Sequence, residues 1–164
     1  ANVDQALIVM SIKDPDFSAV LVDRLSFLIA NEDIEPVLIV TKTDLGISPE
    51  TEKLIREYEE GPMKVIRTAK DTANEEILPL LENKISVLTG QSGAGKSTLL
   101  NTIEPSFHLA TQEISKALGR GKHTTRHSEF IWINDDTYIL DTPGYFDFIG
   151  EVEEGISAAD AAIL

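Results

Sequence analysis

Short runs of apolar residues alternate along the chain with longer stretches in which apolar positions recur at helical spacing. The short runs predict strands at 6–10, 36–41, 63–68, 85–89, 129–133 and 137–141, with a weaker candidate at 161–164. Residues 17–30 carry a helical apolar stripe, Ser48 and Pro49 signal the start of a helix that ends near Glu60, and another helix is expected over 98–103. Strands separated by helices are typical of a parallel sheet covered on both faces, so we predict a three-layer α/β/α fold.

Turn-forming residues separate the last two strong strand candidates. Asn134, Asp135 and Asp136 lie between them, which predicts an antiparallel hairpin at one edge of an otherwise parallel sheet. No low-complexity tract or linker rich in Gly, Ser or Pro interrupts the chain. Its 164 residues, of which 42% are hydrophobic, suit one core, and we predict a single domain over 1–164.

Composition narrows the possible functions. The chain has 28 acidic and 14 basic residues, a formal net charge of −14, so binding to a polyanion is not the default expectation. Without cysteine there is neither a disulfide framework nor a thiolate metal site, and no zinc site is expected because His108, His123 and His127 lack partners at ligand spacing. No apolar run approaches the roughly 18 residues of a membrane helix, and no signal peptide is recognisable, so we expect a cytoplasmic protein without membrane association.

The most specific motif binds phosphate. Residues Gly90 to Ser97 read GQSGAGKS, which matches GxxxxGK[ST] between a predicted strand and a predicted helix. Glycines let successive N–H groups surround a β-phosphate, the helix N-terminus favours an anion, Lys96 spans the β- and γ-phosphates, and Ser97 offers a hydroxyl to Mg²⁺. The predicted phosphate contacts are Gly90, Ser92, Gly93, Ala94, Gly95, Lys96, Ser97 and Thr98.

A second motif follows the strand at 137–141. Asp141 to Gly144 read DTPG, which by itself is a common turn. After a phosphate-binding loop and a hairpin, however, it stands where a GTPase has its Walker B and switch II element. There Asp141 would hold a water on Mg²⁺, and the N–H of Gly144 would meet the γ-phosphate.

Two further motifs favour guanine. Thr41 to Asp44 match [NT]KxD at the end of a predicted strand, and Thr68 to Lys70 resemble [ST]AK after the next strand. The carboxylate of Asp44 can accept hydrogen bonds from N1 and N2 of guanine, whereas adenine has no such donor pair. In isolation the first motif is better explained as a solvated turn at the end of a strand, and the second is informative only beside the other motifs. The predicted guanine contacts are Thr41, Lys42, Asp44, Ala69 and Lys70.

The stretch 119–127, GRGKHTTRH, occupies the position of a mobile switch I loop. Thr125 is our first candidate for a hydroxyl on Mg²⁺, and Thr124 is the alternative because sequence does not fix the register of a loop. The same stretch holds the one basic cluster, which suits a solvated loop, a phosphate contact in cis or an RNA-facing patch. The candidate catalytic residues are therefore Lys96, Thr125 and Gly144, and the candidate Mg²⁺ ligands are Ser97, Thr125 and Asp141.

The order of the motifs is unusual. In an ordinary GTPase the guanine-reading elements come last, but here they precede the phosphate-binding loop. A circular permutation can produce this order without changing the core, because the ends of compact domains are often close together. We predict a circularly permuted P-loop fold in which all five elements meet at one edge of the sheet.

This order, with GQSGAGKSTLLN, GRGKHTTRH, DTPG and TKTDL, resembles the RsgA/YjeQ family of circularly permuted GTPases, which assist maturation of the small ribosomal subunit. The resemblance covers most of 1–144 and implies Mg²⁺-dependent GTP hydrolysis stimulated by the small subunit. Members of that family also carry an OB-fold and a zinc domain. We expect neither in this chain, which leaves ribosome binding and oligomeric state open.

The sequence departs from that family after Gly144. YFDFIGEV resembles switch II of translational GTPases, in which a catalytic His follows DTPG. In this sequence the residue at that position is Tyr145, which cannot act as a base near neutral pH. We therefore expect slow intrinsic hydrolysis of GTP. The tail 158–164 also echoes 2–9. One hypothesis is an isolated, engineered or mosaic domain whose tail competes for the central strand position, pairs with another chain or frays.

Two other functions are also compatible with the sequence. The first is a nucleotide-binding scaffold with little catalysis, which Tyr145 favours. The second is an ATPase, because GQSGAGKSTLL also resembles the Walker A motif of ABC transporters. The chain has no LSGGQ-like signature, and Asp44 favours guanine over adenine.

Overall fold

The computed structural model describes residues 3–69, 74–91, 93–103, 129–134 and 137–141. Its six strands are β1 (Gln5–Ser11), β2 (Glu35–Thr41), β3 (Lys64–Arg67), β4 (Ile85–Gly90), β5 (Glu129–Asn134) and β6 (Thr137–Asp141). Its helices are α1 (Ala19–Asn31), α2 (Pro49–Glu60), α3 (Asn74–Leu81) and α4 (Lys96–Ile103), with a 3₁₀ turn at Thr43–Leu45. The predicted strands up to residue 141 are confirmed to within one residue, and the candidate at 161–164 lies outside the described residues.

Helix α3 is the element that the sequence pattern did not indicate. It has eight residues and contains Pro79, which ordinarily signals the end of a helix because proline lacks the N–H that bonds to the preceding turn. The start of α2 is confirmed in detail, since the Ser48 side chain accepts a hydrogen bond from the N–H of Thr51 at 3.2 Å and Pro49 follows at the first helical position.

The strands form one sheet in the order β3-β2-β1-β4-β6-β5. Every neighbouring pair is parallel except β5 and β6, which form the predicted antiparallel hairpin at one edge. The sheet is therefore mixed, as its turn residues indicated.

Helices pack on both faces of this sheet. All seven residues of β1 are buried, with Ile8 and Met10 facing one hydrophobic cluster and Leu7 and Val9 facing the other. The first cluster includes side chains of α1 and α2, and the second includes side chains of α3 and α4. Burial on both sides explains why β1 reads as a continuous apolar run rather than an alternating one. The three-layer α/β/α fold is confirmed.

The parallel strands bring their carboxyl ends to one edge. Ser11 of β1 is in register with Thr41 of β2, Val9 with Gly90 of β4, and Leu88 with Asp141 of β6. The segments that follow these strand ends are thus neighbours in space although they are far apart in the chain. Among the described helices, none is long and apolar enough to cross a membrane.

Candidate nucleotide-binding site

The glycine loop begins where β4 ends. Gly90 has a φ of +147°, and a Cβ added there would lie 2.1 Å from the carbonyl oxygen of Val9 in the adjacent strand, so no other residue fits without moving β1. The loop then leads directly into α4, whose first residue is Lys96, a side chain that is 7% exposed. A glycine loop that opens a helix after a buried strand is the arrangement that binds phosphate in proteins.

The end of β2 contacts this loop. The hydroxyl of Thr41 donates a hydrogen bond to the carbonyl of Ala94 at 2.5 Å, and the same hydroxyl lies 3.5 Å from the position of a Cβ on Gly95. Lys42 follows with a left-handed φ of +60°, and its Nζ donates to the carbonyl of Gly93 at 2.9 Å. The predicted guanine motif is therefore hydrogen-bonded to the predicted phosphate loop.

The second guanine motif is hydrogen-bonded to the first. The N–H and hydroxyl of Thr43 both donate to the carbonyl of Thr68, at 3.2 and 3.0 Å, and the N–H of Thr68 donates to Val40 at 2.7 Å. These bonds set Asp44 and Ala69 side by side at the ends of β2 and β3.

Both motifs and α4 line one open cavity of about 250 Å³. Its lining consists of Thr41, Lys42, Asp44, Leu45, Thr68, Ala69, Gly95, Thr98, Leu99 and Thr102. Leu45, Ala69 and Leu99 supply apolar surface, and Asp44 supplies a carboxylate. Apolar walls with one anionic acceptor suit a flat base that presents N–H donors at its edge.

The structure brings most of the predicted residues together. Thr41, Lys42, Asp44, Ala69, Gly95 and Thr98 line the cavity, and Gly90, Gly93, Ala94, Lys96 and Ser97 belong to the adjoining loop and helix. Asp141 ends β6 in register with Leu88, two residues before the glycine loop begins. Lys70, Ser92, Thr125 and Gly144 lie outside the described residues, as do Thr124, Tyr145 and the tail, so their roles stay predictions.

Sequence reasoning missed the turn that follows β1. The carbonyls of Lys13 and Asp14 also accept hydrogen bonds from Nζ of Lys42, the first at 3.3 Å. Turn-forming residues, Asp14 to Asp16, come shortly after the end of a buried strand, and this pattern could have indicated a loop at the same edge. Leu45, Leu99 and Thr102 were also missed, because cavity-lining residues on a helix or turn carry no motif.

The described residues suit a magnesium ion in one respect. Ser97 stands in the first turn of α4, next to Lys96, and Mg²⁺ in nucleotide sites takes few protein oxygens alongside phosphate and water. Within the described ranges, no group of three or more His, Asp or Glu side chains could hold a metal by itself. Among the described residues, three side chains have a clearly displaced pKa: Glu52 and Tyr58 of α2, and Arg67 of β3. None of the three lines the cavity.

The sheet order, the glycine loop and the guanine motifs that precede it define the chain as a circularly permuted P-loop GTPase fold. A family model described as RsgA GTPase matches residues 1–149, and the chain belongs to that family.

Named relatives agree with this placement. The small ribosomal subunit biogenesis GTPase RsgA of Shouchella clausii is 48% identical over 150 residues, covering 88% of this chain and 51% of the relative. RsgA of Bacillus subtilis is 42% identical over 169 residues, covering 97% of this chain and 56% of the relative, so that similarity extends past residue 149. The chain spans about half the length of the curated relatives it matches.

Solved structures show the same fold. YjeQ from Thermotoga maritima has a TM-score of 0.66 at 32% identity, covering 88% of this chain and 49% of that one. YloQ, described as a circularly permuted GTPase, has a TM-score of 0.62 at 35% identity, covering 89% and 46%.

Proposed function

We propose that this chain binds GTP and GDP with Mg²⁺, hydrolyses GTP, and forms the nucleotide-binding part of a GTPase that acts on the small ribosomal subunit. One observation carries the proposal. A single cavity joins Asp44 and Ala69 to α4, directly beside the glycine loop that begins at Gly90. Because the cavity adjoins the loop, one nucleotide can place its base in the cavity and its phosphates on the loop.

In this proposal Asp44 reads the base. Its carboxylate accepts hydrogen bonds from N1 and N2 of guanine, while the backbone at Ala69 and Lys70 meets O6. Thr41 and Lys42 hold the motif against the loop through their bonds to Ala94 and Gly93. Adenine would leave the carboxylate of Asp44 desolvated and unpaired, which costs binding energy.

The glycine loop takes the phosphates. Backbone N–H groups from Gly90 to Thr98 surround them, and Lys96 balances charge that develops during phosphoryl transfer. Ser97, Thr125 and Asp141 are the residues that would hold Mg²⁺, which when bound neutralises phosphate charge. The N–H of Gly144 is proposed to contact the γ-phosphate.

The partner follows from the relatives, which are named small ribosomal subunit biogenesis GTPases. We propose the small subunit as the activating partner and, since ribosomes assemble there, the cytoplasm as the location. Activation by a partner also fits Tyr145, which supplies no general base for intrinsic hydrolysis.

The base preference is tested by the affinities of GDP, GTP and ATP in the presence of Mg²⁺. We expect GDP and GTP to bind much more tightly than ATP, and Asp44→Ala to weaken GDP by about 30-fold or more through loss of charged hydrogen bonds. Glu82→Ala, which removes an exposed carboxylate away from the cavity, is the matched control. ATP binding as tight as GDP binding would contradict the proposal and favour an ATPase.

Catalysis is tested by single-turnover GTP hydrolysis with and without small ribosomal subunits. Lys96→Ala should lower the rate by about 100-fold or more, because Lys96 neutralises charge in the transition state. The exposed Lys53→Ala is its control and should hydrolyse like the wild type. A rate that Lys96→Ala leaves unchanged would contradict the assignment, and tight GDP binding with no hydrolysis under either condition would favour the scaffold.

A further inference from the structure

The turn between β1 and α1 is tied to the end of β1 by one buried hydroxyl. Ser11, the last residue of β1, is 1% exposed, and its Oγ donates a hydrogen bond to the carbonyl of Pro15 at 2.6 Å. Ser11 is also in register with Thr41, whose hydroxyl holds the glycine loop. The bond therefore fixes the far side of the turn to the strand ends that carry the site.

This turn contacts both halves of the site. Nζ of Lys42 has three N–H donors, and the carbonyls of Lys13, Asp14 and Gly93 accept from it. Pro15 packs against the same loop, since its Cδ lies 3.6 Å from the position of a Cβ on Gly93. The protein thus supplies an acceptor for each of the three N–H groups. Lys42 thereby links the guanine motif both to the phosphate loop and to the turn after β1.

We propose that Ser11 is a positioning residue for nucleotide binding, which acts through Lys42 and helps to set how long a guanine nucleotide stays bound. The inference rests on the proposed function and deepens it. Without the Ser11 hydroxyl, the Pro15 carbonyl loses its donor and the turn is less well fixed. The carbonyls of Lys13 and Asp14 then hold Lys42 less firmly, so the base and phosphate subsites are less well preorganised for one ligand.

The test is the dissociation rate of a fluorescent GDP analogue from the 164-residue chain with Mg²⁺. We expect Ser11→Ala to raise the rate roughly fivefold, the size of effect that loss of one hydrogen bond produces. Lys42→Ala should raise it further, and the double variant should dissociate no faster than Lys42→Ala alone. Such non-additivity is the signature of two residues that act through one contact, and a merely structural role would not produce it.

Ser86→Ala provides the matched control. Ser86 is a buried serine at the opposite end of the sheet, where it accepts a hydrogen bond from Nε2 of Gln5 at 2.9 Å. Its replacement should lower the free energy of unfolding without changing the dissociation rate. Ser11→Cys keeps the size of the side chain with a weaker donor, so it should dissociate at an intermediate rate and covers the case in which Ser11→Ala does not fold.

The possible outcomes separate the two proposals. Tight GDP binding by the wild type, with unchanged dissociation in both Ser11 variants, would overturn the role of Ser11 alone. Additive effects of Ser11→Ala and Lys42→Ala would also overturn it. A wild-type chain that does not bind GDP would overturn the proposed function, and the inference about Ser11 with it.

Discussion

Thr41 shows how a single side chain can connect two motifs. Its hydroxyl has one hydrogen and two nearby carbonyls, Ala94 at 2.5 Å and Met10 at 3.4 Å, and the shorter contact identifies Ala94 as the main acceptor. The residue is 6% exposed, so an apolar replacement would leave the Ala94 carbonyl without this donor in a buried position. The hydroxyl is thus part of the site's framework even before any ligand is considered.

Gly90 offers a test at the same scale. A Cβ there would meet the Val9 backbone at 2.1 Å, whereas a Cβ on Gly46, which has a φ of +85°, would meet nothing within 4 Å. We expect Gly46→Ala to lower the free energy of unfolding by about 1 kcal/mol from backbone strain alone. Gly90→Ala should cost roughly 3 kcal/mol or more, because the strands must also separate. Urea unfolding of both variants makes the comparison, and equal losses would contradict the close approach of β4 and β1.

At the scale of elements, α2 is joined to β3 by charge and to α1 by an aromatic hydroxyl. The guanidinium of Arg67 donates two hydrogen bonds of 2.8 Å to the carboxylate of Glu52 and contacts Glu59, which raises the pKa of Arg67. Burial, followed by the hydrogen bond to Asp23 of α1, raises the pKa of Tyr58. The Arg67 contacts hold β3 against α2, and the second guanine motif follows the end of β3.

The Glu52 contacts predict a pH dependence. Hydrogen bonds from Arg67, which has the larger effect, and from Arg56 lower the pKa of Glu52 from 4.5 to about 2. A carboxylate with a lowered pKa stabilises the fold fully above its unfolded pKa, and this contribution is lost as the pH falls from about 4.5 toward 2. Glu52→Gln should therefore be less stable than the wild type at pH 7, and the difference should shrink across that interval.

Denaturant unfolding at a series of pH values measures this difference. Glu60→Gln, at the exposed end of the same helix, is the control, because Glu60 takes part in none of the ion pairs that join α2 to Arg67. A Glu52→Gln deficit that stays constant from pH 7 to pH 2 would show that the Arg67 contact does not stabilise the fold through charge.

At the scale of the whole molecule, the direction of the strands decides whether the site assembles, and the order of the motifs along the chain does not. Lys42 and Gly93 are 51 residues apart in the chain and in an order opposite to that of an ordinary GTPase, yet they are hydrogen-bonded. Parallel β1, β2 and β4 place their carboxyl ends together whichever strand comes first, so the permuted order still assembles one site.

Much of this fold could be predicted from the sequence, and the exceptions have physical causes. Buried parallel strands are continuous apolar runs, so β1, β2 and β4 were evident. Helix α3 was hidden by Pro79, because the packing of its apolar residues against the sheet outweighs a local signal against helix. The contacts of Lys42 with the turn at Lys13 and Asp14 could not be predicted, since a backbone carbonyl acts as an acceptor whatever its side chain.

The most direct test of the shared site is a change of base preference in Asp44→Asn. Xanthine has a carbonyl where guanine has its N2 amino group, so an asparagine N–H can donate to xanthine as the Asp44 carboxylate accepts from guanine. We expect Asp44→Asn to bind xanthosine diphosphate more tightly than GDP and the wild type to show the reverse preference, with both losing affinity when Lys96→Ala is added. An Asp44→Asn variant that retains wild-type preference for GDP would contradict the account.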